Sequence, residues 1–435
     1  MKRTPTALLI ALTVGVAATP APAQQPAQPD SLQREIERLK ARLDSLQRVL
    51  EELVREGGDT VTVVDELAAL RAAAAAAAEE GMAGQDTTQQ QVSRTRALQS
   101  LNPEISVTGD VVGAGLFPDG EDARATAIPR EFEFAFQAAL DPYSYTKVFL
   151  SYEEPLEIAG FPEEDEGHEH GGGLHLEEAY LYWVGLPGHI GLKAGKFRQE
   201  IGLYNRWHTH ALLEVDRPLP AVVFLGDDGL IQTGLSLTSP TLTVGPSANS
   251  AYFQLTAGTN HALFEDGGQP SYLGRLQSFW DLGPSTYFQV GATGVYGRNS
   301  DSSLSTRLLE LDFAFRWAPP ERVLYQDFQL KGEWYWVEKE FDLPAGGTTL
   351  GRGGWAQANY RFGRRWIAGF RGDYLEARSG DPDIYQLVPS LSWWQSEWVR
   401  IRLQYNYLKP ASSGGNHTVL LQVVWAIGPH RHESY

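Results

Sequence analysis

Between residues 104 and 428, apolar and polar side chains alternate in sixteen short runs, and the gaps between runs alternate between tight turns and longer loops. Alternation with a period of two places successive side chains on opposite faces of a strand. In lipid every backbone N–H and C=O needs a partner within the protein, so a spanning sheet has to close on itself. Its outer face then turns apolar while its interior stays polar. The pattern therefore predicts an all-β membrane protein, an antiparallel transmembrane β-barrel of about sixteen strands over residues 104–435. A mean hydropathy of −0.29 agrees with this, because only alternate residues meet lipid.

The run from Glu131 to Leu140 shows the principle, with Phe132, Phe134 and Phe136 interleaved with Glu131, Glu133 and Gln137. If both termini lie on the periplasmic side, every second connection should be tight, as at Asp141-Pro142, Leu186-Pro187-Gly188, Gly363-Arg364-Arg365 and Gln395-Ser396-Glu397. Ser239 to Asn249 and Pro319 to Asp327 read as looser turns. The longer, outward connections are Pro118 to Arg130, Pro155 to Leu174, Leu203 to Gly229, Asn260 to Ser271 and Asp342 to Gly353. A soluble β-sandwich has no reason for this two-beat rhythm. Trp334, Trp336, Trp355, Trp366, Trp393, Trp394 and Trp398 fall near strand ends, where interfacial aromatics belong.

The first hundred residues are different material. Lys2 and Arg3, an apolar stretch from Ala7 to Ala18, and Ala21-Pro22-Ala23 have the layout of a secretory signal peptide over 1–23. Leu32, Ile36, Leu39, Leu43, Leu46, Leu50 and Leu53 follow a 4,3 heptad spacing, which predicts a periplasmic coiled coil over 24–58. So short a helix is marginal alone, so residues 32–53 are expected to join copies of the chain; a solvated helix packed on the barrel base is the alternative. Residues 59–103 read as an Ala-rich helix and a polar linker. No other run offers the roughly 18 or more apolar residues of a spanning helix. A net charge of −18 disfavours nucleic acid, and the absence of cysteine suits an exported chain without disulfides.

A signal peptide, a short coiled coil and a barrel carrying Gly195-Lys196-Phe197-Arg198-Gln199-Glu200-Ile201-Gly202 together resemble the phosphate- and polyphosphate-selective porin family and its uncharacterised relatives. In that family a strand of this form leads into the loop that folds into the pore. The resemblance implies a trimeric diffusion channel in a bacterial outer membrane, with lipid around it. Its phosphate ligand does not carry over, because the chain is strongly acidic.

Leu203 to Pro218 mixes apolar and charged residues evenly, which is odd for a solvated loop. Folded inward, its Arg206, His208, His210, Glu214, Asp216 and Arg217 would narrow the lumen; an outer lid packed on neighbouring loops is the alternative. Alternation adds Glu131, Glu133, Glu178, Lys193, Lys196, Arg198, Lys331, Glu333 and Arg371 to the pore lining. His168, His170 and His175 in an acidic, Gly-rich loop, with His208, His210, Glu214 and Asp216, form a candidate metal set for zinc or a similar divalent cation. A hydrated acidic loop with incidental histidines and a pH-sensitive gate are the competing readings. The terminal Tyr435 offers an aromatic signal to the barrel-assembly machinery, although Pro429 interrupts the strand before it.

There is no Gly-x-Ser-x-Gly turn or phosphate-binding Gly-rich loop to support an enzyme. A plugged transporter of about 22 strands does not fit the strand count. Two readings remain: an outer-membrane porin-like channel for small solutes or ions, and a structural barrel anchored by its periplasmic coiled coil without open-channel activity.

Overall fold

A computed structural model describes residues 103–428 apart from 157, 159–172, 342–346, 377–382 and 410–413. The signal peptide, coiled coil, Ala-rich helix, His168, His170 and the tail after 428 lie outside the described residues. Within them the chain forms a single antiparallel sheet of sixteen staves: β1 (Glu104–Phe117), β2 (Arg124–Asp141), β3 (Ser144–Glu153), β4 (Gly173–Leu186), β5 (Ile190–Arg198), β6 (Ile231–Thr238, resumed at Leu242–Val244), β7 (Ser247–Ala257), β8 (Pro270–Gly283), β9 (Thr286–Arg298), β10 (Ser305–Trp317), β11 (Gln326–Phe341), β12 (Gly347–Phe362), β13 (Trp366–Leu375), β14 (Ile384–Trp394), β15 (Val399–Lys409) and β16 (Asn416–Ile427). Each stave pairs with the next, and β1 pairs with β16 from Val107 opposite Ile427 to Phe117 opposite His417. That last ladder closes the barrel and leaves no open edge, the condition for burial in lipid.

Closure separates two faces. On β15, Arg400, Arg402, Gln404 and Asn406 are buried inside, while Leu403 and Tyr405 between them are exposed. The same alternation leaves Leu235, Leu237, Phe253, Leu276, Leu309, Phe370, Leu387 and Leu421 exposed on the outside, a band that lipid would cover. Trp366, half-exposed and beside Trp393 with ring centroids 6.3 Å apart, and exposed Trp398 mark the rim that carries the short turns. Trp355 departs from the expectation. It lies directly opposite Glu333 on the inner face and is only 4% exposed, because alternation, not nearness to a strand end, decides which way a side chain points.

Two loops also differ from the sequence reading. Ser239 to Asn249 is not a loose turn: strand pairing pauses at Pro240, which has no N–H to give, and resumes through Val244 opposite Ser247. The outward connection after β1 is shorter than expected, since β2 starts at Arg124. Two β-bulges matter more. Between β1 and β2 the register slips so that Asp110 faces Glu131 but Val112 faces Ile128. Between β3 and β4, Phe149 faces Glu178 while Leu150 faces Leu176. Each bulge turns an adjacent pair, Arg130 with Glu131 and Glu177 with Glu178, into the interior together.

If Leu403 faces lipid near mid-strand, Leu403→Arg should lower unfolding free energy in lipid vesicles by about 2–4 kcal/mol. Gln404→Glu, one position along on the inner face, should leave the apolar band intact and shift stability through local hydrogen bonds instead; equal effects at both positions would contradict the assigned faces.

Candidate functional site

The segment between β5 and β6 lies inside the barrel. Its entry depends on Gly202, whose φ of +59° is a left-handed conformation that favours glycine. A Cβ there would come within 2.6 Å of the Glu333 carboxylate. That close approach lets the Leu203 and Tyr204 N–H groups both donate to Glu333 Oε1, the second at 2.9 Å. The other carboxylate oxygen accepts from Tyr335 Oη and, at 3.2 Å, from Trp355 Nε1. One inward carboxylate on β11 thus fixes the point where the chain leaves the wall.

Beyond this anchor the segment exposes carbonyls that no strand completes. Four inward arginines take them: Arg400 Nη2 donates to His210 O (2.5 Å), Arg402 Nη2 to Leu212 O (3.0 Å), Arg130 Nη1 to Val215 O, and Arg371 Nη1 to Asp216 O (2.8 Å). Charge-assisted hydrogen bonds of this kind contribute roughly 1.5–3 kcal/mol each. Asp216 is held in turn by Arg371, Gln404 and Asn406 at 2.7–3.2 Å. Arg217 staples the segment to itself, donating to Trp207 O at 2.7 Å, and burial together with the nearby Arg198 charge lowers its pKa to about 10. Helix α1 (Leu219–Leu225) then opens with Pro220 in its first turn and buries Leu219, Ala221, Phe224 and Leu225. Leu219, Phe224 and Leu225 join Tyr335, Val337, Trp355 and Leu375 from the wall, and Leu263 and Phe264 of the short α2 (His261–Phe264), in one apolar cluster.

An acidic cluster with one histidine at its centre lies on the β2–β4 side. His208 Nδ1 is 2.7 Å from Glu133 Oε2 and 2.8 Å from Glu177 Oε2, and its Nε2 is 2.8 Å from Glu178 Oε1. His210 Nδ1 sits 2.6 Å from Glu131 Oε1, and its backbone N–H donates to the other oxygen of that carboxylate. Arg198 Nη2 reaches Glu177 Oε2 at 2.6 Å. All these side chains are buried. Burial alone would lower the His208 imidazole pKa, but Glu133 and Glu177 outweigh it and hold it well above the ordinary range. His210 is likewise raised, burial being overcome by Glu131 and Glu133.

The expected site residues separate into groups. Glu131, Glu133, Glu178, Lys193, Arg198, Lys331, Glu333 and Arg371 are all buried on the inner side of the wall, and Arg206, His208, His210, Glu214, Asp216 and Arg217 lie in the inward segment. Lys196 does not belong with them. It faces Thr233, an exposed residue, in an unbroken β5–β6 ladder, three positions from inward Lys193 and therefore on the opposite face. Its amine instead donates to Leu176 O at 2.6 Å. The described members of the candidate metal set, His175, His208, His210, Glu214 and Asp216, do not come together as one set; His168 and His170 lie outside the described residues. Glu214 receives the Tyr204 hydroxyl and Asp216 is occupied by Arg371, Gln404 and Asn406, while His175 is exposed on β4. Instead, Glu131, Glu133, Glu177 and His208 bring ligand atoms within 4.8 Å of one another. Strict alternation hid Glu177 and Arg130, because both reach the interior through bulges. Arg400 and Arg402 were within reach of the alternation on β15.

No family model matches the chain. An uncharacterised protein from Aquifex aeolicus (strain VF5) is 26% identical over 269 residues, 53% of this chain and 56% of that protein, so the match spans about half the relative's length. Among solved structures the chain is similar to an anion-selective porin from Comamonas acidovorans (TM-score 0.54, 12% identity, 75% of this chain and 99% of that one). OprB of Pseudomonas putida gives 0.52 and 10%, over 76% of this chain and 96% of that one. The outer membrane channel DcaP of Acinetobacter baumannii gives 0.50 and 7%, over 75% and 98%. At these identities the likeness concerns the fold: a closed sixteen-strand antiparallel barrel of the kind porins use.

Replacing Glu333 with leucine would strand the Leu203 and Tyr204 N–H groups, the Tyr335 hydroxyl and the Trp355 indole. The cost should be on the order of 3 kcal/mol or more, borne chiefly by docking of the inward segment. Trypsin should therefore cut the folded Glu333→Leu barrel after Arg206 or Arg217 while sparing the unaltered chain; equal resistance of both would show that Glu333 does not anchor the segment.

Proposed function

We propose that the chain is an outer-membrane diffusion channel for small solutes, narrowed by the segment from Gln199 to Leu230. The observation that carries this reading is the docking of that segment within a closed barrel with a polar, charged interior, held by Glu333 on β11 and by Arg130, Arg371, Arg400 and Arg402 on β2, β13 and β15. Porin-like neighbours support it at the level of fold. Phosphate selectivity, which the sequence resemblance would imply, needs inward cations presented to solute. Here these four arginines donate to backbone carbonyls of the segment, so we propose a solute class other than phosphate. Their role is to hold the constriction in place.

Side chains facing inward from widely separated staves, Gln254, Glu310, Arg371 and Gln422 among them, are 0% exposed. That degree of burial favours a barrel that stays shut until the segment moves, or one that serves mainly as an anchor. Residues 32–53 would then gather three copies through their heptads, and the C-terminal aromatic would serve insertion.

Reconstituted into planar bilayers, the full chain is expected to conduct, with small or infrequent openings. Deleting residues 205–216 should raise single-channel conductance severalfold. Silence of both proteins would favour the anchoring reading. Cross-linking of outer-membrane extracts should give a ladder that stops at three copies, and removing residues 24–58 should reduce it; monomer alone would overturn the trimer.

A further inference from the structure

The cluster around His208 is more than an ion-pair network needs to be. Four carboxylates, Glu131, Glu133, Glu177 and Glu178, converge on two imidazoles and one guanidinium from Arg198. Burying carboxylates is costly unless nearby cations offset their charge, and the protein's own permanent cation in this group is Arg198. The inward segment delivers the His208 ring into a wall of acids built by β2 and by the β4 bulge. Both bulged and regular positions are used to bring these acids together, and one would have sufficed to hold a histidine. Glu177 adds an independent sign. It is 5% exposed, its Oε2 is taken by Arg198 and His208, and its Oε1 accepts no hydrogen bond among the described residues. A buried carboxylate oxygen left so costs free energy unless something fills the place.

We propose that Glu131, Glu133, Glu177 and His208 form a binding site for one divalent first-row transition ion, which ties the inward segment to the barrel wall. Each residue offers one ligand atom, and these atoms lie within 4.8 Å of one another. An ion with metal–ligand distances of about 2.0–2.2 Å spans at most about 4.4 Å between two of its ligand atoms, so small rotations of the carboxylates bring the set onto it. Three carboxylate oxygens with one imidazole nitrogen form a donor set for manganese, iron or zinc, whereas calcium and magnesium take oxygen ligands. The ion and a proton on Nδ1 compete for the same place, and an ion adds charge where acids are in excess. Arg198 opposes the ion by its charge, but it also fixes the Glu177 carboxylate, as hydrogen-bond partners of metal ligands commonly do. His210 plays that part for Glu131. With its ligands buried, the ion would be a resident clasp, not a solute in transit.

The inference rests on the inward docking of the segment that the channel reading also uses, but its test does not involve conductance, so either can fail alone. The tag-free full chain, folded in detergent micelles, is titrated with Mn²⁺ and followed by electron paramagnetic resonance, with heat-modifiable gel migration as the check on folding. The expected result is one tightly held Mn²⁺ per chain with nitrogen modulation from an imidazole in its pulsed spectrum. Glu177→Gln, nearly isosteric, should weaken binding by at least about tenfold, since even partners of ligands contribute that much. His208→Gln should also abolish the nitrogen modulation. The variant Glu338→Gln, on the outer face of β11 and far from the cluster in sequence, should bind as the unaltered chain does. No binding, or binding unchanged in Glu177→Gln, overturns the proposal; if His208→Gln does not fold, Glu177→Gln decides the question alone.

Discussion

A segment threaded through the inside of a barrel brings backbone carbonyls with it, and those carbonyls need donors. The structure supplies them as arginines on the inner wall. Arg130, Arg371, Arg400 and Arg402 come from β2, β13 and β15, and each donates to a different carbonyl between His210 and Asp216. A planar guanidinium with five donors can meet a carbonyl and still bond to wall partners such as Asp110, Asp373, Ser392 and Gln422. Without that set of donors, the lumen would stay open at this level and the segment would lie elsewhere. The apolar cluster of α1 with Tyr335, Val337 and Trp355 follows from the same docking, because it completes only when the segment is held inward.

The arginines also decide which charges remain for other purposes. The chain is acidic overall, and inside the barrel its arginines pair with carboxylates, Arg130 with Asp110, Arg198 with Glu177 and Arg371 with Asp216 and Asp373. Arg400, Arg402 and Arg130 hold the segment's carbonyls, and Glu131, Glu133, Glu177 and Glu178 gather around His208 and His210. The two sets meet at neighbouring positions of β2, Arg130 and Glu131, through a bulge beside Pro129. A single irregularity in one strand thereby serves both the clasp on the carbonyls and the acidic wall.

Much of this was legible in the sequence. A period-two pattern and the two-beat rhythm of connections were enough for strand number, closure and the order of loops, since the physics of lipid leaves few alternatives. Phe132 and Phe134 against Glu131 and Glu133 could be assigned to faces directly. Bulges were not legible in this way. Glu177 and Glu178 are neighbours, so alternation sends one outward, and only the slip at Phe149 and Leu150 brings both in. Lys196 was assigned to the lining by alternation together with Lys193, although three positions of unbroken ladder put the two on opposite faces. Trp355 followed composition rather than parity.

The sequence by itself determined that this chain closes a sheet in lipid, because each residue's parity is local and the need to satisfy the backbone is general. It also marked residues 203–218 as a segment whose mixture of apolar and charged groups is odd for a solvated loop, leaving an inward fold and an outer lid as the choices. Where that segment docks was decided only by the tertiary structure. Gly202 beside Glu333 joins positions 131 residues apart, and Arg400 meets His210 across 190. Such contacts depend on the curvature and register of the whole barrel, which no local pattern encodes.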